Sequence, residues 1–350
     1  MASTNGNGDG RGSRRRRLRD LMDERGLDAV LMRRPENFAW YTGGGNSRVE
    51  YASPLGVADV VVTPDGERVL TSTIEAPRMR AEEASDFAVV EYPWEEGPDD
   101  AVRELFGDAR VGADVPVPGA ADVTDDLAAL RRRLDPDTLD RLRAIGADLT
   151  TALAEAASAV EPGISEYDAA AEIAAACRRR GLVATVLLAA THERIGMHRH
   201  ALPHGATIER RVMLVASAQR GGLYANLTRI EHFEEPDPEI ALRQAASDEI
   251  LSRMREEATR PGRTLADAFA DCRRYYAEAG FLDEWRLHHQ GGLTGYASRE
   301  VIATPYTDVP IEVGQAFSWN PSVTGAKSEE TFVLTESGAE VVAGAAVVVS

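Results

Sequence analysis

All seven histidines of this 350-residue chain fall between residues 192 and 289. Four lie on one segment, Thr191-His-Glu-Arg-Ile-Gly-Met-His-Arg-His-Ala-Leu-Pro-His204, which carries His192, His198, His200 and His204. Two more, His288 and His289, precede a glycine pair in His288-His-Gln-Gly-Gly-Leu-Thr-Gly-Tyr296. Imidazole titrates near neutrality and therefore suits proton transfer. Adjacent glycines let a ligand approach the backbone. Singly, each histidine reads as an ordinary polar group; the loop taken together reads as functional.

Other polar residues gather around this set. Gly222-Leu-Tyr-Ala-Asn-Leu-Thr-Arg229 reads as a strand after a glycine turn, with Tyr224, Asn226 and Thr228 alternating onto one face. Phe317-Ser-Trp-Asn-Pro321 supplies an amide at Asn320. In Lys327-Ser-Glu-Glu330 the neighbouring Glu329 and Glu330 must face opposite sides of a strand, so only one enters a site. Lys327 is the chain's single lysine. Where arginine is the default cation, a lone lysine is the one more plausibly required by its surroundings. Its ammonium is expected to offset Glu329 or Glu330, against the plainer reading of a strand-edge lysine.

Two domains suit this length. The arm Met1 to Arg17 has basic residues without a following apolar run, so it reads as a disordered tail rather than a secretory signal. Residues 18–135 alternate helices and strands. Leu18, Leu21, Met22 and Leu27 recur at helical spacing, and Gly26 ends the helix. Strands are expected at 28–32, 56–63, 67–71, 89–90 and 111–114, with Pro64-Asp65-Gly66 turning a hairpin. Residues 136–350 open with a long helix to about Val160, capped by Asp137 or Thr138.

The second part contains an internal repeat. Residues 161–182 and 260–281 each run Pro-Gly, a cap residue (Ser165, Thr264), a helix, then glycine and an apolar residue. A domain of two related halves with its site between them follows.

Composition narrows the partners. A net charge of −18 disfavours nucleic acid and anionic membranes, and the lysine-poor acidic excess suggests a salt-adapted, halophilic protein. No apolar run reaches the ~18 residues of a membrane span, so a cytoplasmic location is expected. Cys177 and Cys272 lack the spacing of a zinc site or a disulfide framework.

In order along the chain, these motifs resemble the pita-bread hydrolases of peptidase family M24, the creatinase, aminopeptidase P and prolidase relatives. Asn37-Phe-Ala-Trp-Tyr-Thr-Gly43 resembles the family's N-terminal "N–YLTG" stretch, and Pro162-Gly-Ile-Ser-Glu166 its "PG-T-E" opening. His200-Ala-Leu-Pro203 resembles the loop histidine followed by proline three residues on. Gly222 to Arg229 resembles "GY-SD-TR", Gly291 to Gly295 "GHGIG", Trp319 to Pro321 "EP", and Ser328 to Gly338 "IEDTVLVTEDG". The resemblance implies an α/β N-terminal creatinase-type domain, an α+β pita-bread domain with a pseudo-twofold repeat, and a homodimer.

Peptidases of this family hold two divalent metals with two Asp, one His and two Glu. Carried over, the first Asp falls near Val215 to Ser217, the second on Asn226, the His on Gly292 and the first Glu on Asn320. Only the last Glu survives, as Glu329. One carboxylate and two neutral amides do not offset four positive charges, so no catalytic metal and no other cofactor is expected.

Creatinase, which works on this scaffold without metal, is the nearer analogue. By that resemblance His200 is the base, with His198 as competitor, and Glu329 the partner carboxylate. Tyr296-Ala-Ser-Arg-Glu300 resembles creatinase's "YYGRE", which makes Arg299 the anchor of a substrate carboxylate. Thr228 departs from creatinase, which has a second glutamate there. Asn226, Asn320, His288, His289, Tyr296 and Arg229 are the further expected substrate contacts. Lys327 joins the catalytic group. Arg48, on the glycine loop Gly43 to Arg48, is a candidate second cation, since this domain reaches over the site in the family; the loop lacks the Lys-Ser/Thr of a phosphate loop.

The leading expectation is metal-independent hydrolysis of an amide, guanidino or ureido C–N bond in a small carboxylate-bearing substrate. The alternatives are a non-catalytic binding or regulatory homologue, and an Xaa-Pro peptidase acting on short peptides. A lyase on the same scaffold stays open.

Overall fold

The computed structural model describes residues 7–344, with side chains from Gly10 onward. It divides into two compact units. The first runs to Arg131 and takes in Asp135–Thr138; the second comprises Arg132–Leu134 and the chain from Leu139.

The first unit is built on a six-stranded sheet in the order β4-β3-β2-β1-β5-β6. Its strands are β1 (Ala29–Met32), β2 (Ala58–Thr63), β3 (Gly66–Ser72), β4 (Ala88–Tyr92), β5 (Val111–Ala113) and β6 (Ala121–Asp122). All four residues of β1 are buried, as a short apolar run at the centre of a sheet requires. The β2–β3 hairpin closes at Thr63↔Gly66, where Gly66 has φ 144°.

The N-terminal segment corrects an expectation. From Asn7 to Arg25 it is a helix that stops at Gly26, φ 63°. Arg11 to Arg17 therefore lie on an ordered element and not on a free arm; residues 1–6 lie outside the described part. The reason is local countercharge. Arg14 is 3% exposed, with Nη1 2.7 Å from the buried Asp135 carboxylate. Arg11 and Arg15 both pair with Glu67, which also accepts a hydrogen bond from Tyr41 Oη at 2.7 Å.

The long helix Pro136–Ala159 begins in the last residues of the first unit and continues in the second from Leu139. Its cap is Asp135, whose Oδ1 accepts from the Thr138 amide at 2.9 Å, rather than Asp137 or Thr138. Pro136, with no amide to satisfy, then occupies the first helical position.

The two halves of the repeat are visible as matched helix starts. Ser165 caps the helix Glu166–Arg179 in a reciprocal box with Asp168. Thr264 caps Leu265–Glu278 with Asp267 in the same way. Each cap residue also bridges to a later loop, Ser165 to Thr207 and Thr264 to Pro310.

In the first half the helix is followed by the antiparallel sheet β7 (Val183–Thr191), β8 (Arg211–Arg220) and β9 (Leu223–His232). The second half carries β10 (Gly291–Thr294), β11 (Val301–Ile302), β12 (Ala316–Trp319), β13 (Ser322–Val323), β14 (Ala326–Lys327), β15 (Glu330–Thr335) and β16 (Gly338–Ala343). Five of these form the sheet β11-β10-β12-β15-β16, and β13 pairs with β14 as a small hairpin. Phe317, Trp319 and Phe332 are fully buried on this sheet, the two phenyl rings 5.5 Å apart. The sheets of the two halves are tied at Asn226 and Thr331. The Asn226 amide donates to Thr331 Oγ1 at 2.8 Å, and that hydroxyl donates to the Asn226 carbonyl at 3.0 Å.

Candidate active site

That tie sets β9 beside the start of β15, and side chains from both halves converge on one pocket of about 320 Å³. Its polar lining is His200, Ser217, Asn226, His289, Ser298, Arg299, Asn320, Lys327 and Glu329. Its apolar lining is Val186, Leu188, Leu202, Val215 and Ala216. Val186 and Leu188 share a face of β7, and Val215 and Ser217 share a face of β8.

Glu329 is the only carboxylate in this lining, and both of its oxygens are engaged. Oε1 accepts from Arg299 Nη2 at 2.8 Å. Oε2 lies 3.1 Å from Lys327 Nζ and accepts from Thr228 Oγ1 at 2.8 Å. Burial alone would raise this carboxyl, but Lys327, Arg299 and the Thr228 hydrogen bond outweigh it and hold the group down at about 2. Glu329 is therefore ionised at neutral pH, which suits a charge partner and not a proton donor. Glu330 points elsewhere, to Arg255 Nη1 at 2.6 Å, as the alternation of neighbours on a strand requires.

Arg299 is likewise turned inward. Nη2 donates to Glu329 and Nη1 to the neighbouring Ser298 carbonyl at 2.7 Å, so two of the guanidinium's five N–H donors are engaged within the chain. Nε remains without a hydrogen-bond partner among the described residues. Ser217 Oγ and Asn320 Oδ1, both buried in the same lining, are also unpartnered among the described residues.

The histidines form a cluster. His288 Nε2 lies 2.9 Å from His200 Nε2, although the two are 88 residues apart. The His288 and His289 rings stack at 4.5 Å. Burial, then Lys327 and the neighbouring imidazoles, depress His288 to about 2. Burial and Arg299 depress His289 to about 4. Burial and Lys327 lower His200 as well. All three are neutral at pH 7, and His200, at the end of the loop, is the one that meets both the pocket and a positioning partner. His198 is exposed and outside the pocket lining.

Several expected contacts are elsewhere. Arg229 pairs with Glu231 and lines a separate cavity of about 590 Å³ with Arg255 and Glu330. That cavity shares Lys327 and Glu329 with the candidate site. Tyr296 is 2% exposed and accepts from Arg141 Nη2 at 2.7 Å, away from the lining. Arg48 belongs to the first unit, where Ser53 and Glu36 hold it. His288 is behind His200 rather than in the pocket wall. The apolar lining went unread in the sequence, because β7 is a nearly continuous apolar run in which no alternation marks the face that meets the pocket. Cys177 and Cys272 are buried and free, and burial raises both thiols, so neither is a nucleophile.

The residues present do not fit the two-metal centre of the resembling peptidases. Val215, Ser217, Asn226 and Asn320 line the pocket but bring no charge. At Gly292, φ is 150° and a Cβ would sit 2.1 Å from the Val301 carbonyl oxygen, so no imidazole can enter there without moving β11. The single carboxylate is already neutralised by two cations. Among the described residues one trio, His200, His288 and His289, brings three ligand atoms within 4.8 Å of one another. Lys327 and Arg299 oppose a dication beside it. Among the described residues, no helix is long and apolar enough to cross a membrane.

Comparison with known proteins agrees with this architecture. Residues 14–206 match the creatinase/prolidase N-terminal domain, and residues 140–336 match metallopeptidase family M24. The chain is 31% identical over 236 residues to the probable dipeptidase PepE of Mycobacterium bovis and of Mycobacterium tuberculosis, 62% of this chain and 60% of the relative. It thus spans less than two thirds of those relatives. The Xaa-Pro dipeptidase from Bacillus anthracis superposes with a TM-score of 0.78 at 19% identity, over 95% of this chain and 97% of the other. The dipeptidase PepE from Mycobacterium ulcerans gives 0.76 at 22%, over 95% and 96%. The N-terminal domain of the FACT complex subunit SPT16 from Cicer arietinum gives 0.70 at 13%, over 96% of each chain. A creatinase-type N-terminal domain followed by a pita-bread domain is the shared fold, and the chain belongs to metallopeptidase family M24.

Proposed function

We propose that this chain is a metal-independent hydrolase of a C–N bond in a small, carboxylate-bearing molecule, with His200 as general base. The observation that carries the reading is the Lys327–Glu329–Arg299 cluster, in which two side-chain cations hold the one carboxylate of the pocket lining. His200 takes a proton from water as the water oxygen bonds to the scissile carbon. The C–N bond then breaks, and the same proton passes from His200 to the leaving nitrogen. His288 positions the His200 ring through the 2.9 Å contact. Lys327 and Arg299 Nε are the donors available to an oxyanion or a carboxylate. Glu329 acts by holding both cations in place. The dipeptidase names of the relatives speak for an amide substrate.

A second reading, a binding protein without turnover, draws on the same cluster: with Glu329 neutralised, no free carboxylate in the lining assists His200.

The test is hydrolysis of a panel of amide, ureido, guanidino and Xaa-Pro acids by the purified chain, followed by mass spectrometry with and without a chelator. Expected is turnover that survives chelation and falls by roughly 10²-fold or more in His200→Ala. Because His200 lies below its ordinary 6.5, the acid limb of the pH profile is expected below that value. Stoichiometric manganese, zinc or iron, with activity that vanishes on chelation, overturns the proposal; ligand binding with no turnover leaves the second reading.

A further inference from the structure

We infer that the pocket's ligand is an N-acylated amino acid: a free carboxylate, a secondary amide and an apolar acyl chain, with no free ammonium or guanidinium. The inference deepens the functional reading above and rests on it.

Charge decides the first part. The lining holds two cations, Arg299 and Lys327, against one carboxylate, a surplus of one positive charge with the histidines neutral. An incoming ammonium or guanidinium needs an anionic partner, and the sole candidate, Glu329, already accepts from Arg299, Lys327 and Thr228. A ligand cation would enter beside two like charges with nothing left to pair it. A carboxylate, in contrast, meets the surplus. This argues against a dipeptide with a free amino terminus and against a guanidino acid.

Shape and polarity decide the second part. At about 320 Å³ the pocket is at the small end for organic ligands. Five of its lining residues are apolar, and two of them, Val186 at 40% and Leu202 at 67% exposure, stand open to solvent. Exposed aliphatic groups at the edge of a polar pocket await apolar cover. The unpartnered atoms match a secondary amide. Asn320 Oδ1 accepts from its N–H, Arg299 Nε donates to its carbonyl or to the carboxylate, and Ser217 Oγ serves either. An acyl chain of several carbons would then lie along Val186, Leu188, Leu202 and Val215.

A matched pair isolates the charge. L-leucyl-L-alanine and 4-methylpentanoyl-L-alanine differ only in the ammonium group, which is mostly charged at pH 6.5. Calorimetric titration of the full chain with both, and with N-acetyl-L-alanine, N-hexanoyl-L-alanine and guanidinoacetate, reads the ligand class directly. Expected is at least tenfold tighter binding of the 4-methylpentanoyl compound than of leucyl-alanine. Each buried methylene is worth about fourfold, ~0.8 kcal/mol. The hexanoyl compound is therefore expected to bind at least tenfold tighter than the acetyl one. Leu202→Ser and Val186→Thr, both at exposed positions, are expected to shrink that hexanoyl-to-acetyl ratio by several-fold.

Equal binding of leucyl-alanine, tightest binding of guanidinoacetate, absence of a chain-length effect, or no binding by any N-acyl compound overturns the inference. Binding in the expected order without turnover leaves the ligand class standing and removes the hydrolase reading. Turnover of guanidinoacetate removes the ligand class and leaves hydrolysis.

Discussion

A carboxylate removed from water must find positive charge, and at Glu329 that charge comes from two side chains of the same chain. Lys327 is 6% exposed and contributes one of them. Truncating it to methionine leaves Glu329 with Arg299 and Thr228 alone in a buried site. Lys327→Met is expected to cost roughly 3 kcal/mol of unfolding free energy, the lower end of the cost of breaking a buried pair. Adding Glu329→Gln is expected to recover part of that loss, which a double-mutant cycle by urea denaturation measures. Additive losses would mean that the two groups are not coupled. This residue's part was legible because a single lysine among arginines stands out. Arg299 was not: its arginine identity fits a substrate clamp and an internal countercharge equally well, and only the position of Glu329 decides between them. The His200–His288 contact joins residues 88 positions apart, beyond the reach of any local pattern.

Among the elements, local chemistry wrote itself into the sequence most clearly at helix starts and turns. The two Pro-Gly-x-Ser/Thr openings gave matched capping boxes, because a cap is satisfied within three residues. The hairpin at Pro64-Asp65-Gly66 was equally visible. The helix through Arg14 was missed because an arginine run reads as solvated until its partners, Asp135 and Glu67, are known from the fold. Strand β10 shows what the element permits. Gly291 and Gly292, at φ 97° and 150°, let β12 and β11 approach it closely, with Cβ positions 2.1 Å from carbonyl oxygens on both sides. Restoring a family-like imidazole by Gly292→His is therefore expected to destabilise the chain by about 1–3 kcal/mol from backbone strain alone, with further loss from the overlap. It is expected to confer no metal binding. Thermal denaturation with added manganese or zinc checks both points: a variant as stable as the parent, and further stabilised by either ion, would show that β10 tolerates the ligand.

For the whole molecule the governing quantity is a charge of −18, from 57 acidic residues against 39 basic ones. Two electrostatic contributions oppose each other. The excess carboxylates repel across the surface, while many arginines sit in contact pairs such as Arg103–Asp100 at 2.6 Å and Arg143–Glu340 at 2.8 Å. Exposed pairs of this kind are worth about 0–1 kcal/mol each. Salt weakens both contributions, but not equally. At ~0.1 M the screening length is about 10 Å, so repulsion between separated charges fades first while groups in contact keep most of their attraction. The melting temperature is therefore expected to rise between roughly 10 mM and 0.3 M salt, and to rise alike in sodium and choline chloride, because screening depends on ionic strength and not on the cation. A fall over that range would mean that the surface pairs outweigh the repulsion. The pocket provides an internal control. Lys327 and Glu329 are nearly excluded from solvent, so the penalty of Lys327→Met is expected to stay the same at both salt levels while the parent's stability shifts. Composition revealed the acidic exterior but concealed this positive interior, since one surplus charge in a pocket vanishes in a total of −18. A ligand carboxylate is thus attracted only at short range, against the field of the body, and salt is expected to strengthen its binding as that outer field is screened.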